Sequence, residues 1–186
     1  MGVMDALARY AYHPDRATGM ANTVALLVAS NGPFYPLYVW WLVPEAGLAS
    51  CATMLSTPLF LAIPWLSRRC GWLARAALPL LGLTNTLWTI ALLGSSAGLA
   101  VFVYPCIALA LLCWRERVVM LLVLGGALAA QQLALRRPWP PLSGLDPAAQ
   151  MELSTMNAAS VGALLGFLVL MGARQWRLVA DRDTPP

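Results

Sequence analysis

The sequence is poor in charge, and long apolar runs take the place of charged residues. Asp, Glu, Lys and Arg make up 11% of the 186 residues, whereas hydrophobic residues make up 60% and the mean hydropathy is +0.68. A water-soluble domain carries roughly 25% charged residues, because its surface must face water. The scarcity of charge argues against a soluble domain and predicts that lipid surrounds most of the chain.

Acidic groups are missing from the apolar runs, and this excludes several kinds of chemistry. The eight Asp and Glu residues lie between the runs or at their edges. Ion-coupled carriers place carboxylates at membrane depth, and both acid–base catalysis and di-metal sites need paired carboxylates. The sequence also lacks a phosphate-binding loop and a GxSxG nucleophile motif. We therefore expect a protein that is not an enzyme and has no catalytic residue.

Metal-binding residues are equally few. The four cysteines form no CxxC pair and His13 is the only histidine, so we expect small buried cysteines, a solvated histidine and no metal site. A single imidazole can hold haem, and the sequence leaves any cofactor unknown. The net charge of +4 comes from arginines between apolar runs, where they act as orientation signals. We therefore expect no nucleic-acid partner.

Six apolar runs approach the length of about 20 residues that a helix needs to cross a bilayer. They cover about 20–43, 46–66, 76–93, 99–114, the residues after Arg117 to Leu135, and 152–172. The pattern predicts an all-α, polytopic membrane protein, a bundle of six transmembrane helices with short loops. We expect a cytoplasmic N-terminal segment at 1–19, the transmembrane domain at 20–173 and a cytoplasmic tail at 174–186.

The arginines predict how this bundle is oriented. All twelve basic residues are arginines, and with six spans ten of them fall on the side that holds both termini. Only Arg136 and Arg137 fall on the opposite side. Under the positive-inside rule, this distribution predicts a multi-pass protein of the bacterial inner (plasma) membrane with cytoplasmic termini. In this assignment Arg75 lies in the loop between the second and third spans.

Neutral polar and aromatic residues interrupt the spans and are candidates for ligand binding. Asn31-Gly32-Pro33 predicts a break in the first span, which Asn31 either caps or leaves open to a ligand. The amide of Asn85, with Trp88 one turn later, needs a partner in hydrocarbon, and this is either another helix or a ligand. The predicted ligand-binding set consists of Asn31, Tyr35, Tyr38, Asn85, Trp88 and Tyr104.

One stretch resembles part of a known family. Residues 92–109, LLGSSAGLAVFVYPCIAL, form a polar-small turn that ends in glycine, followed by an aromatic pair and a proline. With Tyr12-His13-Pro14-Asp15, six spans and Asn157 early in the last span, the chain resembles the six-helix membrane sensor regions of some bacterial adenylate cyclases, diguanylate cyclases and histidine kinases. No such catalytic domain follows Arg182, so the chain would be a stand-alone relative or a part of a longer protein. The resemblance implies ligand sensing or partner control.

Three functions compete on this evidence. The leading hypothesis is a non-enzymatic, sensor-type bundle in the lipid bilayer that binds a small apolar ligand or a membrane partner. The second is an accessory or assembly subunit, since stripes such as Gly162 and Gly166 suit close contact with other membrane proteins or with a second copy. The third is a small transporter or lipid-handling protein, which the lack of buried charge disfavours.

Overall fold

The computed structural model describes residues 2–112, 117–136 and 145–183, and all elements in these ranges are helical. The all-α prediction is therefore confirmed for the described part of the chain. Several predicted features lie outside it, including Cys113, Arg115, Arg137 and part of the loop before the last span. The side chains at 130–136 and 175–183 also lie outside the described part, and so do the predictions that concern them.

The first apolar run is divided in two, as predicted. The chain begins with α1 (Val3–Ala11), α2 (Arg16–Asn31) and α3 (Phe34–Leu42). The break falls at Gly32-Pro33, where proline has no N–H to donate. A Cβ at Gly32 would overlap the hydroxyl of Thr57, so the break also lets the backbone approach the start of another helix closely.

The second apolar run contains an unexpected change of helix type. Two 3₁₀ segments (Pro44–Ala46 and Cys51–Ser56) flank α4 (Gly47–Ser50), and α5 (Thr57–Arg69) follows. The hydroxyls of Ser50, Thr53 and Ser56 each donate to the carbonyl three residues earlier, at 2.6, 2.7 and 3.1 Å. Residues three apart eclipse one another in a 3₁₀ helix, and such hydroxyls compete with backbone bonding. These hydroxyl bonds accompany the tighter winding.

After α5 come α6 (Gly71–Leu93), two 3₁₀ turns (Ser95–Ala97 and Leu99–Phe102), α7 (Val103–Leu112), α8 (Arg117–Arg136) and α9 (Pro147–Asp183). α6 packs against α2, α5, α7 and α8.

Two predicted boundaries need correction. α6 begins at Gly71 rather than near residue 76, so Arg75 lies in a helix and not in a loop. The physical reason is that Arg75 is buried and pairs with groups at the start of α2. α9 continues through most of the segment 174–186, which was predicted to be a polar tail.

Three helices in the described part are long and apolar enough to cross a membrane: Pro44–Arg69, Gly71–Leu93 and Pro147–Arg174. Leu99–Leu112 is apolar but shorter. Half of the most apolar window of α6 is buried within the protein, whereas only 22% of that window in α9 is buried. An apolar helix with most of its surface exposed needs an apolar solvent, so these helices indicate membrane association.

Two apolar clusters lie toward opposite ends of α6. One includes Ala74 and Leu78 of α6 together with Val24 of α2 and Ile63 of α5. The other is built around Leu93 at the end of α6, with Val39, Val43, Leu99 and Leu153 among its members. Ala74 and Leu93 are separated by about 28 Å at a rise of 1.5 Å per residue. Each cluster adjoins a separate set of buried polar groups.

Candidate functional site

A buried amide connects three elements at the end of α6. The hydroxyl of Tyr35 in α3 donates to Oδ1 of Asn157 in α9 at 3.2 Å, and Nδ2 of Asn157 donates to the carbonyl of Ala97 at 2.8 Å. Asn157 is fully buried. The sequence predicts Tyr35 as a ligand-binding residue, and Asn157 is part of the family resemblance. In the structure the two bond to each other, and Tyr35, Ala97 and Asn157 are called the Asn157 cluster below.

The turn that carries Ala97 needs glycine at its end. Gly98 has φ of 71°, a left-handed conformation that favours glycine. A Cβ at this position would lie 2.9 Å from the Cα of Ser154 in α9. Gly98 therefore lets the turn approach α9 closely enough for Asn157 to reach the carbonyl of Ala97.

Asn85 in α6 has a polar atom that the fold leaves without a partner. Its Oδ1 is shielded from solvent and accepts no hydrogen bond from the described residues. The bond between helices that the sequence suggested for this oxygen is therefore absent there. Leaving a buried acceptor unpaired costs about 1–3 kcal/mol. The site can recover this free energy from any molecule that brings a hydrogen-bond donor.

Trp88 lies one helical turn beyond Asn85 and reaches across to the 3₁₀ segment. Its Nε1 donates to the carbonyl of Ala52 at 3.1 Å, and the side chain is 39% exposed. The indole therefore connects the C-terminal third of α6 to the segment Cys51–Ser56. A molecule bound beside Asn85 would be next to this connection.

The other predicted site residues are not joined to Asn85 and Trp88. Asn31 is exposed at the end of α2, and Tyr38 and Tyr104 are 49% and 48% exposed. Within the described part of the chain, none of the three makes a hydrogen bond to Asn85 or Trp88. Asn85 and Trp88 thus lie one turn apart on α6, Tyr35 bonds to Asn157, and the remaining three residues lie on the surface.

A second buried polar group, not anticipated from the sequence, lies at the start of α2. The carboxylate of Asp15 accepts from the backbone N–H and the hydroxyl of Thr18, at 3.1 and 2.6 Å, and forms an ion pair with Arg75. Arg75 also donates to the hydroxyl of Thr18 at 2.7 Å. His13 adjoins the group, because its Nδ1 accepts from the N–H of Asp15 at 3.0 Å. It is therefore half-buried rather than simply solvated.

These contacts set the charge state of Asp15. Burial of its carboxyl raises the pKa, but the two hydrogen bonds from Thr18 and the attraction of Arg75 and His13 outweigh it. The pKa of Asp15 therefore lies below its ordinary value of 3.8. Asp15 is ionised at neutral pH and neutralises the guanidinium beside it.

Asn22 extends this group toward α1 and α5. Its Nδ2 donates to the carbonyl of Ala11 at 3.1 Å and to the hydroxyl of Ser67 at 2.9 Å, and its Oδ1 accepts no bond from the described residues. We call Asp15, Thr18, Asn22, Ser67 and Arg75 the Arg75 cluster. Two features of the sequence could have indicated this cluster. Asn22 is a polar residue inside the first apolar run, and Asp15 and Thr18 have the Asp-x-x-Thr spacing of a helix N-cap.

Cysteine and histidine side chains are the usual ligands of a structural metal ion. No group of three His, Cys, Asp or Glu side chains comes together within the residues that the structure describes. Cys106 is buried as expected, whereas Cys70 is half-buried and Cys51 is exposed. The expectation of buried cysteines is therefore wrong for Cys51.

Comparison with known proteins finds no match for this chain among protein-family models, curated proteins or solved structures.

Proposed function

We propose that this protein is a non-enzymatic, sensor-type membrane bundle that binds a small, mostly apolar molecule carrying one hydrogen-bond donor. The observation that supports the proposal is the Oδ1 atom of Asn85, a buried acceptor without a partner in the described residues. A largely apolar molecule with a hydroxyl or amide N–H would satisfy this acceptor and otherwise contact hydrocarbon-like surface.

The membrane setting is part of the proposal. Three long apolar helices indicate membrane association, and the arginine pattern favours six spans, cytoplasmic termini and the bacterial inner membrane. A molecule dissolved in the bilayer could approach Asn85 and Trp88 from the exposed side of α6, where Thr84 and Trp88 are exposed.

The 3₁₀ segment offers a way for binding to be reported. Trp88 bonds to Ala52 in this segment, and the segment leads directly into α5. A stretch of 3₁₀ helix inside a longer helix often marks a hinge. A ligand that prefers one position of the Cys51–Ser56 segment would shift the population of α5 positions, because only differential affinity moves a conformational equilibrium.

Photolabelling tests the site. The protein is reconstituted in lipid nanodiscs with a diazirine-bearing long-chain alcohol, or with the methyl ether of the same probe, which has no donor. We expect the alcohol to label α6 near Asn85 and the ether to label it at least fivefold less. Asn85→Leu should reduce labelling by the alcohol to the level of the ether. The matched control is Thr84→Val, which changes the exposed neighbour and should leave labelling unchanged. Equal labelling by both probes, or in Asn85→Leu and wild type, would contradict the proposal.

One observation favours a second function, that of a subunit in a larger membrane complex. Gly162 and Gly166 lie on the exposed side of α9, and a Cβ added to either would meet nothing within 4 Å. Small residues four apart allow two membrane helices to approach closely. Co-purification of a stoichiometric partner that is lost in Gly162→Leu, while photolabelling at Asn85 persists, would support this function.

A further inference from the structure

The first helix is attached to the end of α5 by specific contacts. The hydroxyl of Tyr10 in α1 donates to the carbonyl of Leu61 at 2.9 Å, and the guanidinium carbon of Arg68 lies 5.2 Å from the centre of the Tyr10 ring. The carbonyl of Ala11, the last residue of α1, accepts from the buried amide of Asn22. α1 is thus held beside the last three turns of α5.

Two arginines at this position are supported by aromatic rings. Besides Arg68 on Tyr10, the guanidinium carbon of Arg69 lies 5.1 Å from the centre of the Trp65 ring. Both distances are within the roughly 6 Å over which a cation and a ring attract each other. A guanidinium that lies against a ring keeps its N–H edge available, and this edge matches the geometry of phosphate oxygens.

Neither arginine has an acidic partner in the described part of the protein. The guanidinium groups of Arg68 and Arg69 lie against the rings of Tyr10 and Trp65. Both arginines are exposed, at the end of the candidate span Pro44–Arg69. In the proposed topology this is where lipid headgroups lie, so two adjacent cations meet the layer that contains anionic phosphate.

The outer face of α1 suits the same location. Val3, Met4 and Leu7 share one side of the helix and are 77%, 76% and 43% exposed, whereas Asp5 and Arg9 lie on the other side. A helix with an apolar side and a charged side lies in the membrane interface with its apolar residues among the acyl chains. The arginines and the apolar side of α1 therefore present complementary surfaces to a headgroup and to its chains.

We propose that α1 and the end of α5 form a binding site for an anionic phospholipid of the cytoplasmic leaflet. Arg68 and Arg69 contact the phosphate, and Val3, Met4 and Leu7 lie beside the acyl chains. The proposal depends on the membrane topology proposed above, and it is independent of the ligand at Asn85.

The test is a lipid titration of the purified full-length protein in detergent, followed by native mass spectrometry. The probes are phosphatidylglycerol and phosphatidylcholine of identical chain length. We expect phosphatidylglycerol to bind at least tenfold more tightly. An arginine near the surface contributes about 1 kcal/mol to binding of anionic lipid, so Arg68→Gln/Arg69→Gln should weaken binding about 25-fold. Arg69→Gln alone should weaken binding about fivefold. Its control is Arg174→Gln, which also removes one positive charge, from the end of another candidate span, and should change affinity less than twofold.

A variant that keeps every charge distinguishes a specific lipid site from general electrostatic attraction between the arginines and the headgroup. Trp65→Leu keeps every charge but removes the ring under Arg69, and we expect a threefold to fivefold loss of phosphatidylglycerol affinity. Its control is Trp72→Leu, because Trp72 is exposed to nearly the same extent, 55% against 53%, and no arginine stacks on its ring in the described residues. Arg68→Lys/Arg69→Lys keeps the charge but loses the planar edge, so it should weaken binding as Trp65→Leu does.

Several results would overturn the inference. These are equal affinity for the two lipids, equal losses in the Arg174→Gln and Arg69→Gln variants, or displacement of phosphatidylglycerol by millimolar inorganic phosphate, which would point to a site for the free ion. Carbonate extraction of native membranes is done first. Release of the chain by carbonate would contradict the proposed function itself, whereas an integral protein without lipid preference would contradict only this inference.

Discussion

The Arg75 cluster and the Asn157 cluster perform the same task at opposite ends of α6 with different chemistry. Each joins segments that are far apart in sequence, 60 residues for Asp15 and Arg75 and 122 for Tyr35 and Asn157. The Arg75 cluster uses an ion pair, whereas the Asn157 cluster uses a neutral amide and a phenol. Asp15 keeps 36% of its side chain exposed, but Asn157 is fully buried.

The difference shows where this protein can accommodate charge. A buried ion loses its hydration, and a nearby opposite charge and hydrogen bonds must replace it. The partly exposed carboxylate of Asp15 meets this condition at the edge of the bundle. Deeper in the protein, the helices are joined by neutral groups, which can pair with one another at a lower desolvation cost.

The largest expected effect comes from removing Asp15. Asp15→Ala leaves the buried guanidinium of Arg75 without its carboxylate and removes the cap of α2. We expect the free energy of unfolding to fall by about 3 kcal/mol, at the lower end for a broken buried pair because Asp15 is partly exposed. Denaturant titration in dodecyl maltoside micelles measures this. Asp15→Asn keeps a capping oxygen and should lose about half as much. If both variants unfold with the same free energy as wild type, the ion pair does not contribute to the stability of the fold.

The same pair predicts how stability depends on pH. The pKa of Asp15 is lower in the folded protein than its ordinary value of 3.8. The ionised form therefore stabilises the fold above that value, and the contribution disappears as the pH falls through the folded pKa. The difference in unfolding free energy between wild type and Asp15→Asn should stay constant from pH 7 to about pH 4 and shrink below it. A difference that grows on acidification would mean that folding raises the pKa of Asp15 and does not lower it.

The next effect tests the turn that positions the Asn157 cluster. Gly98→Ala places a side chain at positive φ and against the backbone of Ser154, and we expect a loss of about 2–3 kcal/mol in unfolding free energy. Gly162→Ala is the matched control, because a Cβ there meets nothing within 4 Å, and it should raise the unfolding free energy by up to about 1 kcal/mol, since Ala favours the helix over Gly. If the two substitutions cost the same, the turn does not need to approach α9 closely.

A smaller effect is expected for the amide itself. Asn157→Leu leaves the hydroxyl of Tyr35 and the carbonyl of Ala97 without partners and should cost about 2 kcal/mol. Tyr35→Phe removes one bond and should cost about 1 kcal/mol. Combining the two substitutions should cost less than the sum, because they share a hydrogen bond. Strict additivity in the same denaturation assay would show that Tyr35 and Asn157 are not coupled.

The smallest effect on stability is expected at Asn85. Asn85→Leu removes a buried oxygen that has no partner in the described residues, so it should not lower the unfolding free energy and should raise it by up to about 1 kcal/mol, the lower end of the cost of an unpaired acceptor. The same substitution should reduce photolabelling by the alcohol probe to the level of the ether. A loss near 2 kcal/mol, as at Asn157, would indicate that Asn85 is a structural link rather than a binding group.

Local features of the fold could be predicted from the sequence. The helical class follows from the apolar runs, and the break between α2 and α3 follows from Gly32-Pro33, because proline removes a donor wherever it lies. The change to 3₁₀ helix at Cys51–Ser56 was not predicted. The α-helix has 3.6 residues per turn and the 3₁₀ helix has 3.0, and over six residues the two periods produce nearly the same sequence pattern.

The candidate site was predictable only in part. Asn85 and Trp88 lie on one helix, so their spacing alone placed them together. Tyr35 and Asn157 lie on different helices, and no local pattern indicates which of several inward-facing polar residues will meet. Arg75 was assigned to a loop because arginine in an apolar region is costly, and the compensating carboxylate is distant in sequence.

By itself the sequence indicated that lipid surrounds the protein, that the fold is helical and that the first apolar run is broken at Gly32-Pro33. These features depend only on composition and on the backbone chemistry of a few neighbouring residues. The tertiary structure decided which polar groups pair, that Arg75 is buried against Asp15, and that one amide oxygen at Asn85 lacks a partner in the described chain. Hydrogen bonds and ion pairs act over a few ångströms, so their partners are fixed only when distant helices pack.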